Sequence, residues 1–237
     1  GRPYVDLEAA TYIVGIIGLN ECLQFMIGKE LHDDDEALKL GLRIISHMYF
    51  KVKEEGKKHN LKFSLEESPA ESASRRLAKI DVRNYPEAVD MVKGHMERDE
   101  FYYTNSVHLR PDAPVDMVKR IEVQSMFHGM IESGAIIHAF VGEERPPASS
   151  IMKLVKRTFE NTQAAQLTIS PEFTICNSCN RVIPRLVDQC PHCDVSNLYS
   201  IKRNATPDRV NNWDRTKMQE LVDRHEEKVT ASNKSCK

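Results

Sequence analysis

Two C-x-x-C pairs near the end of the chain constrain its fold more than any other feature. They are Cys176-x-x-Cys179 and Cys190-x-x-Cys193, separated by residues 180–189. Each short loop can place two thiolates on one ion, and a hairpin between the pairs can bring all four together. Four thiolates leave no open coordination position, so the pattern favours a structural zinc site over a catalytic one. Rubredoxin-like iron and unligated reduced cysteines are the alternatives.

The composition is that of a globular protein with a sizeable core, because 41% of the 237 residues are hydrophobic. A formal net charge of −2 argues against a dedicated nucleic-acid binder, since such proteins usually carry a basic excess. The longest apolar run, Ala9 to Leu19, is too short to span a membrane, and we expect no secretory leader. We expect a cytoplasmic protein with reduced thiols. Because it opens at Gly1 without a methionine, we also expect a piece of a longer chain.

Hydrophobic periodicity and helix-start signals divide the chain into alternating strands and helices. The predicted helices cover residues 6–31, about 34–55, 69–80, 86–98, 114–132, 147–163 and 214–229, and the predicted strands cover 61–67, 101–109, 135–143 and 165–170. The helix at 114–132 is expected to stop near Gly134. A rhythm of strand, helix, strand, helix favours an α/β sheet or barrel with parallel neighbours.

The stretch S-P-A-E-S at residues 68–72 reads as a helix start. Ser68 is predicted to cap the helix, Pro69 to occupy its first turn, and Glu71 to close a capping box. Such a start offers free backbone N–H groups and the positive end of the helix dipole, which suits a phosphate, and Ser72 adds a hydroxyl. The alternative is a helix start with no ligand.

Several other chemistry-bearing residues have structural interpretations. Cys22 lies in an apolar segment and is predicted to be a buried, inert thiol. His108 and His138 lie in predicted strands, where we expect hydrogen-bonded structural histidines. Cys236 is expected to be an exposed thiol in a polar tail, and Trp213 to anchor that tail on the main body.

Six stretches taken together carry a resemblance to a known family. They are residues 2–21, 64–81, 102–116, 134–143, 169–193 and 209–221, among them TYIVGIIGLNE, SPAES, YYTNSVHLRP and the two cysteine pairs. In this order they resemble the C-terminal third of the anaerobic (class III) ribonucleoside-triphosphate reductases. The resemblance implies an α/β fold, the later part of a ten-stranded glycyl-radical-type barrel with a small C-terminal zinc-ribbon module. It implies three regions: barrel (1–171), Cys₄ zinc module (172–200) and tail (201–237).

The function that the resemblance implies is the reduction of ribonucleoside triphosphates to deoxyribonucleotides without oxygen, which supplies DNA replication. A radical-SAM activating enzyme uses S-adenosylmethionine to make a glycyl radical near the C-terminus of such reductases. The radical passes to a cysteine on a loop inside the barrel, and formate or a thiol system supplies the electrons. Ribonucleoside triphosphates and the activating enzyme are therefore the expected partners.

The resemblance also implies roles for particular residues. The four paired cysteines match a structural metal module that lies beside the glycyl-radical loop. Glu71 matches an active-site carboxylate, and the adjoining helix start, with Ser68, Ala70 and Ser72, is placed for substrate phosphate. Zn²⁺ is the implied metal.

The tail departs from the family pattern. Where V-T-G-Y is expected the chain has Asn204 to Asp208, and no glycine follows Gly142, so the radical position expected near Thr206 has no glycine. The radical cysteine and the regulatory domain would lie before Gly1. We expect a fragment or diverged subunit that is inactive alone and needs the missing N-terminal barrel half or a homodimer partner. The alternative is a non-catalytic zinc-bearing scaffold that completes a partner's barrel. A zinc-ribbon nucleic-acid binder is disfavoured by the acidic balance.

Overall fold

The computed structural model describes residues 4–68, 70–142, 145–203 and 207–209, and these form an α/β structure. The strands are β1 (Thr11–Gly15), β2 (Lys62–Glu66), β3 (Lys93–His95), β4 (Glu100–Tyr102), β5 (Ile137–Gly142), β6 (Leu167–Pro171), β7 (Phe173–Cys176), β8 (Val182–Ile183), β9 (Leu198–Arg203) and β10 (Pro207–Arg209). The helices are α1 (Leu19–Ile27), α2 (Asp35–His59), α3 (Glu71–Asn84), α4 (Met117–His128) and α5 (Ala148–Asn161). Within the described ranges, none of these helices combines the length and hydrophobicity that a membrane crossing requires.

Two pairs of parallel strands form the framework. β1 pairs with β2, and the crossover between them contains α1 and α2. β5 pairs with β6, and α5 forms that crossover. Parallel neighbours require such long connections, whereas antiparallel ones can be joined by a tight turn. The predicted alternation with parallel neighbours is confirmed, as are the predicted strands at 61–67, 135–143 and 165–170 and the helix at 147–163.

The two pairs are linked where β2 ends and β5 begins. The N–H of Ser133 donates to the carbonyl of Leu65 at 3.0 Å, and the N–H of Glu67 donates to the carbonyl of Gly134 at 2.9 Å. A side chain adds a third link, because the Glu67 carboxylate accepts the N–H of Ile136 at 2.8 Å. The end of β2 therefore lies against the start of β5.

The main core lies between α1, α2, α4 and β2. Its fully buried members include Leu23, Ile45, Leu65 and Phe127. Gly41 allows α2 to approach this core closely, because an added Cβ would lie 2.7 Å from the Leu31 side chain. A larger residue at position 41 would therefore require the Leu31 side chain or the helix to shift.

Helix α2 begins where the sequence predicts and carries the predicted charges at both ends. Asp34 precedes it and accepts the N–H of Ala37 at 2.9 Å, as an N-cap does. Two acidic residues occupy its first turn and two lysines its last turn, which complements the helix dipole. The helix runs to His59, four residues past the predicted end at Glu55.

The prediction of one helix over residues 6–31 is wrong. The segment contains β1, a turn and α1. An apolar run does not distinguish a buried helix from a buried strand, and the β-branched residues in Thr11–Gly15 favour the strand. Gly18, with a left-handed φ of 76°, starts α1. Cys22 on that helix is exposed, so its predicted burial is also wrong.

The predictions for residues 86–109 are also wrong in part. In place of a helix at 86–98, the chain has a 3₁₀ turn at Pro86–Asp90 and a second at Met96–Arg98 that joins β3 to β4. The predicted strand at 101–109 is reduced to Glu100–Tyr102, followed by a turn in which Ser106 has a φ of 49°. Aromatic content predicted the strand, but this turn interrupts it after three residues.

The predicted helix at 114–132 is shorter in the structure. α4 starts at Met117, where Asp116 accepts the N–H of Lys119 at 2.8 Å, and it ends at His128 with Gly129 as its cap. Gly134, the predicted cap, instead lies beside β2 with a φ of 151°. The predicted helix at 214–229, with Trp213 and Cys236, lies outside the described residues.

Candidate functional site

The structure brings the four paired cysteines together. All four Sγ atoms lie within 4.8 Å of one another. Cys176 Sγ is 3.5 Å from Cys193 Sγ, and Cys179 Sγ is 3.7 Å from Cys190 Sγ. Four sulfurs at about 2.3 Å from one tetrahedral ion would lie about 3.8 Å apart. The donor set and spacing therefore fit a single Zn²⁺ ion, and the group can bind a metal.

The two C-x-x-C turns have the same backbone geometry. In each turn, the residue after the second cysteine is left-handed: Asn180 has a φ of 56° and Asp194 a φ of 59°. Asn180 donates its N–H to the Cys176 carbonyl at 2.8 Å, and Asp194 donates to the Cys190 carbonyl at 2.9 Å. Asn and Asp adopt this region more readily than most residues. The Asn or Asp after each pair is a sequence signal for this turn that pattern analysis missed.

Hydrogen bonds within the cluster set the acidity of its thiols. The N–H of Cys179 points at Cys176 Sγ at 3.5 Å, and backbone donors of this kind lower the pKa of Cys176 to about 6. The contact with Cys176 raises the pKa of Cys193. These hydrogen bonds therefore favour the thiolate form of Cys176, which is the form in which a cysteine binds a metal ion.

The cysteine cluster shares a sheet with the start of the tail. The strand order in this sheet is β10-β9-β7-β8, and all of its neighbours are antiparallel. Cys176 ends β7 and lies opposite Leu198 in β9. β9 then runs to Arg203, which pairs with Pro207 at the start of β10. Residues 204–206, including the predicted radical position near Thr206, lie outside the described residues.

The predicted capping box at 68–72 is wrong. α3 begins at Glu71, and its N-cap, Ala70, makes no side-chain cap hydrogen bond. Ser68 instead donates its hydroxyl to Glu66 Oε2 at 2.9 Å. Gly15 on the neighbouring strand makes room for Ser68, because a Cβ at position 15 would collide with the Ser68 hydroxyl. Ser68 is thus held at the end of β2 and does not reach the helix start.

The other residues predicted to bind phosphate occupy the start of α3. Ala70 immediately precedes the helix, and Ser72, its second residue, is exposed. The first backbone N–H groups of a helix have no partner inside the helix, so they remain available to a ligand. Their role in phosphate binding stays a prediction, as does the role of Glu71.

A buried ion pair holds the segment that leads into α3, and sequence reasoning missed it. Glu67 Oε2 lies 3.3 Å from His108 Nε2, and the same carboxylate oxygen accepts the N–H of Ile136 at 2.8 Å. Burial alone would lower the pKa of His108, but the charge and hydrogen bond of Glu67 outweigh it, so that pKa is raised. His108 is therefore a hydrogen-bonded structural histidine, as predicted. Glu67 is one of two adjacent glutamates in the stretch LEES, and nothing in the sequence indicates which of them is buried.

A second histidine faces the other oxygen of the same carboxylate. His128 Nε2 lies 3.8 Å from Glu67 Oε1. Its Nδ1 accepts the N–H of Ala165 at 2.9 Å, so in the neutral ring the proton is on Nε2, facing Glu67. Burial lowers the pKa of His128, which favours that neutral form. Glu67 thus joins β2 to His108, to α4 and to the start of β5.

Comparison with known proteins identifies the family of this chain. The family model described as anaerobic ribonucleoside-triphosphate reductase matches residues 4–226. The chain belongs to this family. The anaerobic ribonucleoside-triphosphate reductase of Enterobacteria phage T4 is 25% identical over 217 residues, which are 86% of this chain and 31% of that protein. The Haemophilus influenzae enzyme is 25% identical over 130 residues, 54% of this chain and 18% of that protein.

Solved anaerobic ribonucleotide reductases share the fold. One aligns with a TM-score of 0.69 and 16% identity over 92% of this chain and 32% of its own. The Thermotoga maritima enzyme, in a crystal structure in complex with dATP and CTP, aligns with a TM-score of 0.65 and 17% identity over 90% of this chain and 33% of its own. The chain therefore spans about a third or less of the reductases it matches. The predicted resemblance and the α/β class are confirmed.

Proposed function

We propose that this chain forms the C-terminal part of an anaerobic reductase that converts ribonucleoside triphosphates to deoxyribonucleotides. On its own it is inactive. Residues 1–171 supply the later strands of a ten-stranded barrel, residues 172–200 form a zinc-ribbon module, and residues 201–237 form the tail. The family match supports the reaction class, and the fold shared with solved reductases supports the barrel.

One observation carries the proposal: the cysteine cluster and the tail hairpin belong to one sheet. β7, which ends in Cys176, pairs with β9, and β9 pairs with β10. Residues 204–206, which lie between β9 and β10 in the sequence, fall where the resemblance puts the glycyl-radical loop. A zinc ion held by four thiolates would fix β7 and would thereby fix the base of the hairpin. The metal is structural in this proposal because no coordination position stays open.

The substrate end of the proposed site lies at the start of α3. Glu71 is the proposed active-site carboxylate, and Ala70 and Ser72 are the proposed phosphate contacts. Ser68 contributes by holding the preceding segment, since its hydroxyl is bonded to Glu66. Glu67 anchors the same segment through His108. The Thermotoga maritima relative is in complex with dATP and CTP, which supports a nucleotide as the ligand of the proposed reductase.

The sequence of the tail favours a second candidate, a non-catalytic scaffold that completes a partner's barrel. No glycine follows Gly142, and a glycyl radical needs a Cα without a side chain. In either case the partner is a chain that supplies the rest of the barrel, and in the catalytic case a radical-SAM activating enzyme is also needed.

An anaerobic reductase assay separates the two candidates. A family member truncated before its own C-terminal third would be mixed with this chain, the activating enzyme, S-adenosylmethionine and CTP. We expect no dCTP with the unaltered chain, and dCTP when residues 204–208 are replaced with V-T-G-Y-F-S. Complex formation without dCTP from either chain would support the scaffold. Failure of both chains to bind the truncated enzyme would contradict both proposals.

A further inference from the structure

A cavity of about 420 Å³ lies between α1, α3 and the turn after β4. Its polar groups are the carboxyl groups of Glu21, Asp81 and Glu87, with the hydroxyl of Tyr103. Its size is within the usual range for small-ligand sites, about 300–1,000 Å³. Leu77 and Asp81 place it two to three turns beyond the start of α3, so it is separate from the proposed phosphate contacts.

Glu21 is the buried polar group in this cavity. Only 4% of the residue is exposed. Its Oε1 accepts both the backbone N–H of Thr104, at 3.0 Å, and the Thr104 hydroxyl. Its Oε2 has no hydrogen-bond partner among the described residues, although the atom is buried. A buried acceptor without a partner is costly, so Oε2 is arranged for a donor that a ligand would bring.

The charged side chains that line the cavity determine whether a cationic or an anionic ligand is favoured. Within the described part of the chain, the residues that line the cavity include three carboxyl groups and no lysine, arginine or histidine. Burial raises the pKa of Glu21, although the hydrogen bonds from Thr104 and the charge of Lys93, whose ammonium is bonded to Glu30 at 2.9 Å, oppose this rise. A cation bound at Oε2 would favour the charged carboxylate further. Asp81 already accepts the Tyr103 hydroxyl at 3.0 Å. A second anionic group is therefore repelled here, whereas a cation is attracted.

The rim of the cavity is apolar. Phe25 is 65% exposed and Tyr85 is 56% exposed, and both line the opening. Leu77 and Met91 extend the apolar surface inward. A ligand that fits has a cationic donor head and an apolar stem, and aromatic rings at the rim add cation–π and packing contacts.

We infer that this cavity is a binding site for a guanidinium or alkylammonium group with an apolar stem, with Glu21 Oε2 as its principal acceptor. The source of that group is either a free small cation or the arginine side chain of a polypeptide that packs on the rim. The inference does not rest on the proposed reductase activity.

Calorimetry on the full chain tests the site with three probes: agmatine, N-acetyl-arginine methylamide and N-acetyl-citrulline methylamide. At least one of the two guanidinium probes, agmatine and the capped arginine, should bind. The neutral citrulline probe should bind at least about tenfold more weakly, because it cannot form the charge-assisted hydrogen bond. Preference for agmatine would indicate a free cation. Preference for the capped arginine would indicate a polypeptide partner.

Glu21→Gln is the decisive variant. Its amide oxygen can still accept from Thr104, while its NH₂ group presents donors to the cavity where the acceptor was. Guanidinium affinity should fall at least about tenfold, and Asp81→Asn should also weaken it. Glu54→Gln, which removes an exposed carboxylate on α2 outside the cavity, should leave the guanidinium affinity unchanged. Absence of guanidinium binding, equal binding of the citrulline probe, or unchanged affinity in a folded Glu21→Gln chain would overturn the inference.

Discussion

Glu67 and His108 form a buried ion pair across the segment that leads into α3, with 3.3 Å between Oε2 and Nε2. The Glu67 side chain is 1% exposed and that of His108 is 21% exposed. Removing one partner of such a pair leaves a buried charge unpaired, and this lowers the stability of the fold more than replacing both partners with uncharged residues. The pair therefore makes the stability of this part of the fold depend on pH.

The first prediction concerns that dependence. His108→Gln should lower the free energy of unfolding by about 3 kcal/mol near pH 6, because it leaves Glu67 buried without its cation. The pKa of His108 is raised in the folded chain. Its contribution to the free energy of unfolding is therefore complete below pH 6.5, the ordinary pKa of histidine, and is lost as the pH rises through the folded-state pKa. Burial opposes the charged form of Glu67, but the charge and hydrogen bond of His108 lower its pKa below 4.5, so its contribution to stability is lost only as the pH falls below that value.

Urea unfolding of both chains at pH 5.5, 7 and 9 measures this effect. The difference between wild type and His108→Gln should be largest at pH 5.5 and smallest at pH 9. The double variant Glu67→Gln/His108→Gln should recover part of the loss, because no buried charge remains unpaired. A difference that is constant over this pH range would show that the pair is not ionised.

A second prediction concerns the metal. The purified, reduced chain should contain about one zinc per molecule, held by four thiolates. Cys179→Ser should lose the metal and increase amide exchange in residues 172–200, while α2 and α4 stay protected. Cys22→Ser, which alters an exposed cysteine outside the cluster, is the matched control and should keep its zinc. Elemental analysis that finds no stoichiometric metal in the wild-type chain would contradict the assignment.

The turns around the cysteines give a third prediction. Asn180 holds a left-handed conformation that a β-branched residue adopts only at a cost of about 1–2 kcal/mol. Asn180→Val should therefore release zinc to a competing chelator roughly tenfold more readily, whereas Asn180→Gly should hold it as well as wild type. Equal zinc retention by the valine and glycine variants would mean that the turn does not control metal binding.

The start of α3 gives a fourth prediction, which applies to the complex with a chain that supplies the rest of the barrel. Ser72→Asp should weaken binding of ribonucleoside triphosphates, because it puts a negative charge beside the proposed phosphate contacts. Ser149→Asp makes the same change at the second residue of α5, which is also exposed, and should have no effect. Calorimetry that finds equal nucleotide affinity in both variants would leave α3 without a phosphate role.

The parts of this fold that the sequence predicted are those governed by local pattern. Acidic residues before α2 and lysines at its end marked that helix, and the spacing of the cysteines marked their cluster. The errors came from tertiary contacts. Residues 11–15 form a strand because β2 lies beside them, and Ser68 bonds to Glu66 because Gly15 leaves room for it. Glu67 was missed because its burial depends on α4 and β5, which are distant in sequence.

We propose that this chain is the C-terminal part of an anaerobic reductase whose tail has lost its radical glycine. Electron paramagnetic resonance tests this proposal on the chain in complex with the missing barrel half, after anaerobic incubation with the activating enzyme and S-adenosylmethionine. The unaltered chain should give no glycyl doublet. Replacing residues 204–208 with V-T-G-Y-F-S should give a doublet that oxygen destroys. An oxygen-sensitive radical on the unaltered chain, or none on the altered chain although the complex forms, would contradict the account.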